Sequence, residues 1–240
     1  MFKDFLLKLK KVNDFRPAWY SVFINPYFVA RRGLFLPMRD FARGLKKKDV
    51  LDVGCGSRPY EVLFSGNDYA AIDVEGGGHK KEDKLPDQYF DGLNIPYDDG
   101  VFDAAICTEV LEHSPEPEKL VAEIARILKP KGKLYVSVPF VWYEHEVPYD
   151  FRRFTSYGFK RLLDKDFVVE RMAPTSGVFG CLSQIFSAFV IENFKPKNAI
   201  TYPLLSALVC APAMIVGTLI DKLIGRRYLT LGWTAVCRKK

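Results

Sequence analysis

The chain is short of histidine and cysteine, with three and five in 240 residues. The cysteines are Cys55, Cys107, Cys181, Cys210 and Cys237. They are odd in number and scattered, with no C-x-x-C pair. This argues against a cysteine-built zinc site or a disulfide framework, so no metal is predicted and a reducing compartment fits. No Walker A sequence occurs. The G-x-G at Gly54 and Gly56 continues to Pro59, where a dinucleotide-binding G-x-G-x-x-G would need its third glycine. Internal repeats and low-complexity stretches are absent. Met1 to Lys11 has neither the apolar core nor the small-residue cleavage site of a signal peptide.

What is present centres on Val50 to Tyr60, V-L-D-V-G-C-G-S-R-P-Y. Val50, Leu51 and Val53 form strands, and the chain then turns at two glycines. This reads as a buried parallel strand opening into a tight loop, at the edge where open α/β sheets hold ligands. A second apolar strand, Tyr69 to Asp73, also ends in an acid. Asp73 lies 21 residues after Asp52, near the ~20-residue offset of a ribose-binding carboxylate. Asp91 stands at a third possible strand end. Gly100 to His113 supplies a fourth strand running into a polar loop. Leu120, Val121, Ile124 and Leu128 share one face of a helix over 116–128, stopped by Lys129-Pro-Lys-Gly132. Further strands are predicted at 133–138, 167–172 and from Leu231 to Cys237. Helices are predicted near 31–45, 59–65 and 157–163. Glu75 to Lys84 reads as loop, with His79 facing solvent.

The ordered set D-V-G-C-G, I-D, D-G-L-N-I-P-Y-D-D-G-V-F-D, E-V-L-E-H and A-R-I-L-K-P-K-G-K-L-Y-V-S-V-P resembles the class I S-adenosylmethionine (SAM)-dependent methyltransferases over about residues 49–140. G-C-G-S-R-P-Y-E-V-L-F and H-E-V-P-Y-D-F-R-R-F-T, residues 145–155, are similar to a bacterial subgroup often encoded with surface-polysaccharide genes. The loop departs from the family pattern at Arg58, where a third glycine is usual. The resemblance implies a Rossmann-like α/β sheet of seven strands, the last antiparallel, with helices on both faces. It also implies SAM as cofactor. Asp73 would accept the ribose hydroxyls and Asp91 the adenine amino group. Gly54 and Gly56 would let the backbone approach the methionine part, with Asp52 anchoring the loop or that amino group. Cys55, Val74, Gly92 and Thr108 complete the expected cofactor lining. For catalysis the candidates are His145, His113 and Asp150. His145 could act as base, with Asp150 orienting it or serving as base itself. Both histidines could instead be structural loop residues. Arg152 and Arg153 could pair with Asp150 or hold an acceptor phosphate.

Charge divides the chain. Residues 1–48 hold 12 Lys/Arg against 3 Asp/Glu, residues 49–150 hold 9 against 21, and residues 151–240 hold 14 against 5. Basic ends suit nucleic acid or an anionic membrane; these are also apolar and aromatic, which favours membrane and no nucleic acid. Residues 1–12 have a basic amphipathic pattern that could touch a membrane or lie on the domain. Met172 to Ile191 and Asn198 to Ile220 are uncharged runs of 20 and 23 residues. Pro174, Gly177 and Gly180 weaken the first as a span, and Pro203 and Pro212 are expected to interrupt the second. Lys195, Lys197, Lys222, Arg226 and Arg227 flank them and could meet anionic headgroups. Because the predicted strands at 167–172 and Leu231 to Cys237 would share one sheet, the residues between them must return to the side they left.

The expected divisions are a basic helical extension (1–48), a SAM-binding core (49–172), an apolar helical hairpin insert (173–229) and a final strand with a basic tail (230–240). The expectation is therefore a cytoplasmic methyltransferase, peripheral or monotopic at the inner membrane. Its acceptor would be a lipid-linked glycan or another membrane-associated molecule. A soluble small-molecule acceptor with the insert as lid, a homodimer interface at the insert, or a non-catalytic SAM-binding scaffold are the alternatives.

Overall fold

A computed structural model of the chain describes residues 13–76, 84–194, 201–225 and 228–240. The amphipathic stretch 1–12, His79, and the basic flanks Lys195, Lys197, Arg226 and Arg227 lie outside them. The described chain divides into two compact units, Met38–Ala173 with Gly232–Lys240, and Met1–Pro37 with Pro174–Leu231.

The first unit is built on a seven-stranded sheet. Its strands are β1 (Asp49–Val53), β2 (Asp68–Val74), β3 (Gln88–Phe90), β4 (Phe102–Thr108), β5 (Leu128–Pro139), β6 (Phe167–Pro174) and β7 (Gly232–Lys239). The order is β3-β2-β1-β4-β5-β7-β6. β1 pairs parallel with β2 and β4, β2 with β3, and β4 with β5; β7 runs antiparallel to β5. β1 lies among its neighbours like a core element: Val50, Leu51 and Val53 are fully buried. This is why the strand reads as a near-continuous apolar run. The strand order reverses between β1 and β4, so a crevice opens at their C-terminal ends.

Two boundaries differ from expectation. β5 begins at Leu128, opposite Phe102, before Lys129-Pro-Lys-Gly132 rather than after it. The register shifts there and Lys131 takes φ +64°, so the expected helix stop is a bulge within the strand. Lys129 pins it by bridging Asp49 and Asp103 at 2.8 and 2.9 Å. The helix expected near 59–65 is only a 3-10 turn, Glu61–Phe64. Pro59 precedes it, and Gly66 at φ +90° turns the chain at once into β2.

The second unit contains the start of α1 (Phe28–Arg43), α4 (Val178–Phe194) and α5 (Thr201–Ile224); α2 (Pro117–Ile127) and α3 (Ser156–Leu163) belong to the sheet unit. Pro203 and Pro212 do not break α5. Pro203 falls in the first turn, where its missing N–H has no partner to lose. Ahead of Pro212 the helix widens to a π stretch, Ser206–Cys210, and Ala211 N–H reaches back to Ser206 O. The helices of this unit cap one another. The buried Gln184 side chain of α4 accepts from Val29 and Ala30 N–H at 3.0 and 3.2 Å and donates to Pro26 O. Asp221 of α5 accepts from Phe179 and Gly180 N–H at 2.9 and 2.7 Å. At Gly217 the two apolar helices approach so closely that a Cβ would stand 2.5 Å from Phe179 O.

Asp221 answers two free N–H groups at the start of α4. Asp221→Ala should therefore lower stability by about 1–2 kcal/mol, measured by urea unfolding. An unchanged midpoint would remove this cap from the account.

Candidate functional site

The register of the sheet brings four sequence-distant positions to one edge. Val53 pairs with Ile72 on one side and Cys107 on the other, so Gly54 emerges beside Asp73 and Thr108. Val74 pairs with Phe90, placing Asp91 one residue beyond β3. The loop from Gly54 is tied to β2: Gly54 and Cys55 N–H both donate to Ile72 O, and Gly56 N–H donates to Asp73 Oδ2 at 2.7 Å. Gly54 and Gly56 take φ of +74° and +49°. A Cβ on Gly54 would lie 2.3 Å from Val110, whereas one on Gly56 would meet no atom within 4 Å. Gly54 thus serves a close packing contact, and Gly56 leaves open room above the loop.

Arg58, in the place of a third glycine, also adopts the left-handed conformation, φ +51°. Its guanidinium compensates by pairing with Asp87 at 2.5 Å and donating to Leu85 O. An ion pair and a hydrogen bond thus hold a conformation that glycine would adopt freely.

Asp73 is nearly buried. Oδ2 accepts from Gly56, and Oδ1 accepts from Val74 N–H at 2.7 Å and Lys84 Nζ at 3.0 Å. Lys84 also donates to Val74 O and Gly76 O. A carboxylate has about four acceptor positions, so Lys84 must yield if both ribose hydroxyls are to bind. No spacing in the sequence signals this lysine. Asp91 closes its own turn, accepting from Leu93 N–H, Asn94 N–H and Asn94 Nδ2 at 2.6–2.8 Å. These bonds hold its carboxyl below the usual range. Gly92 follows at φ +87°, close to Val74.

Asp52 does not reach the loop. Buried under it, it accepts a hydrogen bond from Tyr69 OH. Burial raises its carboxyl to about 7, the Tyr69 bond opposes this, and the Asp73 charge adds to it. Burial and the Asp52 charge likewise push the Cys55 thiol up to about 12, so Cys55 fills space as a protonated thiol. Thr108 Oγ1, at the end of β4, is buried without a hydrogen-bond partner. The open room at Gly56, the strand-end carboxylate of Asp73 and this orphaned hydroxyl fit a nucleoside ligand with a polar amino-acid tail.

Beyond β4 and β5 the structure brings His113 and His145 together, ring centres 4.9 Å apart and nearly perpendicular. His113 Nδ1 faces Tyr149 O at 2.9 Å, and His145 Nδ1 faces Asp150 Oδ2 at 3.2 Å. Both acceptors call for a proton on Nδ1, so in the neutral ring the lone pair lies on Nε2. Burial, then the His113 charge, lower the His145 pKa. Asp150 is held by Arg153 through contacts of 2.5 and 2.6 Å. That pairing pushes its carboxyl well below the usual range, so it suits orienting His145 rather than accepting a proton. Arg152 instead donates to Ser114 O and Pro115 O. Besides Lys84, sequence reasoning missed Glu112. It is fully buried between Leu111 and His113, and the second acid of E-V-L-E-H was its only trace.

The chain matches the methyltransferase-domain family over residues 25–163. It belongs to that family. Over 104 residues it is 35% identical to a ubiquinone biosynthesis O-methyltransferase of Coxiella burnetii, covering 39% of this chain and 44% of that protein. A norajmaline N-methyltransferase of Rauvolfia serpentina is 30% identical over 104 residues, 38% of this chain and 36% of its own length. The chain thus spans less than half the length of these curated relatives. In fold it is similar to a solved structure described as a putative sarcosine dimethylglycine methyltransferase of Galdieria sulphuraria, with TM-score 0.51, 15% identity and 87% of each chain covered. SAM is the cofactor of this family, and the strand-end site of this methyltransferase domain fits it.

The Asp52 carboxyl gives a pH prediction. Its folded pKa, about 7, lies above the ordinary ~3.9 of an aspartate. The fold therefore binds this proton more tightly than the unfolded chain does. Asp52 is neutral and harmless below ~4, and its contribution to stability is lost as pH rises towards 7. Asp52→Asn should remove that loss. Urea unfolding at pH 4 and pH 7 should show the variant gaining on wild type by a few kcal/mol, on the order of the pKa difference; parallel profiles would contradict the assignment.

Proposed function

We propose that this chain transfers the methyl group of SAM to a hydroxyl oxygen on a membrane-borne acceptor, of the lipid-linked glycan type. When bound, SAM supplies a methyl carbon already activated by its sulfonium. Transfer breaks the carbon–sulfur bond as the carbon–oxygen bond forms; the sulfur keeps the electron pair and the hydroxyl proton must leave. The chain's part is to hold donor and acceptor in line. Gly54, Gly56 and Asp73 would fix the donor, with Thr108 facing its tail. His113 and His145 would receive the acceptor, and His145 Nε2 is free to take the proton directly as general base. The name of the Coxiella relative favours oxygen as acceptor atom. The glycan assignment rests on the H-E-V-P-Y-D-F-R-R-F-T resemblance.

The membrane assignment rests on one observation. α5 is a 24-residue helix of mean hydropathy 2.1, with only 28% of its most apolar window buried. Twenty-four helical residues measure roughly 36 Å, against ~30 Å of bilayer hydrocarbon. Leu208, Leu219 and Leu223 are 71, 52 and 86% exposed, and Phe186 and Phe189 on α4 are also exposed. Apolar surface left open in this way marks a membrane or protein contact. Because β6 and β7 lie in one sheet, we assign the pair to the inner face of a membrane, entered and left on the same side.

The test is labelled SAM with purified protein and a membrane extract. The expected result is label in a lipid-extractable product and sedimentation of the protein with anionic vesicles. Leu219→Glu with Leu223→Glu should abolish both while SAM still binds. Label in a water-soluble product, or no vesicle binding by wild type, would defeat the membrane reading and return the helices to a lid or a homodimer interface.

A further inference from the structure

We propose that Glu112, His113 and His145 form a binding site for a divalent transition-metal cation on the acceptor side of the cofactor crevice. One ligand atom from each of the three residues falls within a sphere where all lie within 4.8 Å of one another. Glu112 Oε1 and His113 Nε2 are 3.8 Å apart, and Glu146 Oε1 is also 3.8 Å from that nitrogen. A cation with bonds of about 2.1 Å needs donor pairs roughly 3–3.5 Å apart, so the 3.8 Å pair would close by about 0.3–0.8 Å and a pair at the 4.8 Å limit by about 1.3–1.8 Å.

Two independent features point to a cation. Glu112 is completely buried, yet neither carboxylate oxygen has a hydrogen-bond partner. A buried carboxylate left unpaired is costly, and a bound cation would satisfy both its charge and its lone pairs. The second feature is how the imidazoles are set. Each commits Nδ1 to a fixed acceptor, Tyr149 O for His113 and the Asp150 carboxylate for His145, which leaves Nε2 as the atom for a cation. Asp150 is in turn clamped by Arg153. An oriented imidazole backed by a carbonyl or carboxylate is the outer-shell arrangement of metal-ligating histidine. Two imidazole nitrogens with one carboxylate suit Mn²⁺, Fe²⁺, Co²⁺ or Zn²⁺ better than Mg²⁺ or Ca²⁺, which prefer oxygen. Neither histidine is fully covered, with side-chain exposures of 16 and 29%, so coordination positions stay open to an acceptor.

This inference rests on the methyltransferase reading for its role, though not for its existence. A hydroxyl bound to the cation would release its proton to water more readily. His145 would then act as ligand instead of base.

The test uses chelator-stripped, full-length protein. Calorimetry with Zn²⁺ and ligand-field absorption with Co²⁺ should show one cation per chain. Glu112→Gln and His145→Ala should each weaken it more than tenfold, while SAM binding, titrated on the same samples, persists and reports folding. With paramagnetic Co²⁺ on wild type, the ring signals of His113 and His145 should shift or broaden, which needs no variant. Absence of cation binding in SAM-competent wild type would overturn the proposal, as would unchanged binding in both variants or unshifted ring signals. Cation binding without SAM binding would leave the site standing and defeat the methyltransferase reading.

Discussion

The structure depends on the turn after β1. Gly54 must pass under Val110 with positive φ, and three consecutive amides of that loop hang on the end of β2. This fixes the height of the loop against Asp73. The fully buried β1 then fixes both against β4, and so against Thr108. Gly54, Gly56, Asp73 and Thr108 are thus placed by the backbone pairing of β1 with β2 and β4 and by the loop's own amides. The cost sits beneath it, where burying Asp52 under the loop leaves a carboxyl that ionises only near neutrality.

The proposed acceptor side is organised differently. Its residues come from the segments after β4 and β5, and side-chain pairing holds them. Arg153 clamps Asp150, Asp150 orients His145, and Tyr149 O orients His113. The result is two nearly perpendicular imidazoles beside a buried carboxyl that makes no hydrogen bond. In the proposed reaction this surface would receive the methyl acceptor, whether its oxygen is reached by an imidazole directly or through a cation.

Much of this was legible in the sequence where backbone chemistry dictates residue type. Gly54, Gly56 and the 21-residue step from Asp52 to Asp73 betray a strand-end loop because few residues can occupy those places. β1 and β2 followed from apolar runs ended by glycine or an acid, β3 was only a possible strand end, and the count of seven came from the family resemblance. Arg58 shows the limit of that logic, since an ion pair replaces what a glycine would allow freely. Pro203 and Pro212 show another: a helix can widen locally to absorb a proline, and composition does not say whether it will. Lys84 against Asp73 and Glu112 beside the histidines were hidden, because both contacts arise from tertiary approach. The N-terminal helix and the insert looked like separate additions. In the structure Gln184 caps the helix from the far end of the chain, a pairing that no local pattern announces.

The most direct test of the central claim is hydrogen–deuterium exchange with and without S-adenosylhomocysteine. The account predicts slower exchange on binding in the peptides covering Val53 to Tyr60 and Ile72 to Val74. Saturating ligand that leaves both peptides unchanged, with protection appearing elsewhere, would contradict it.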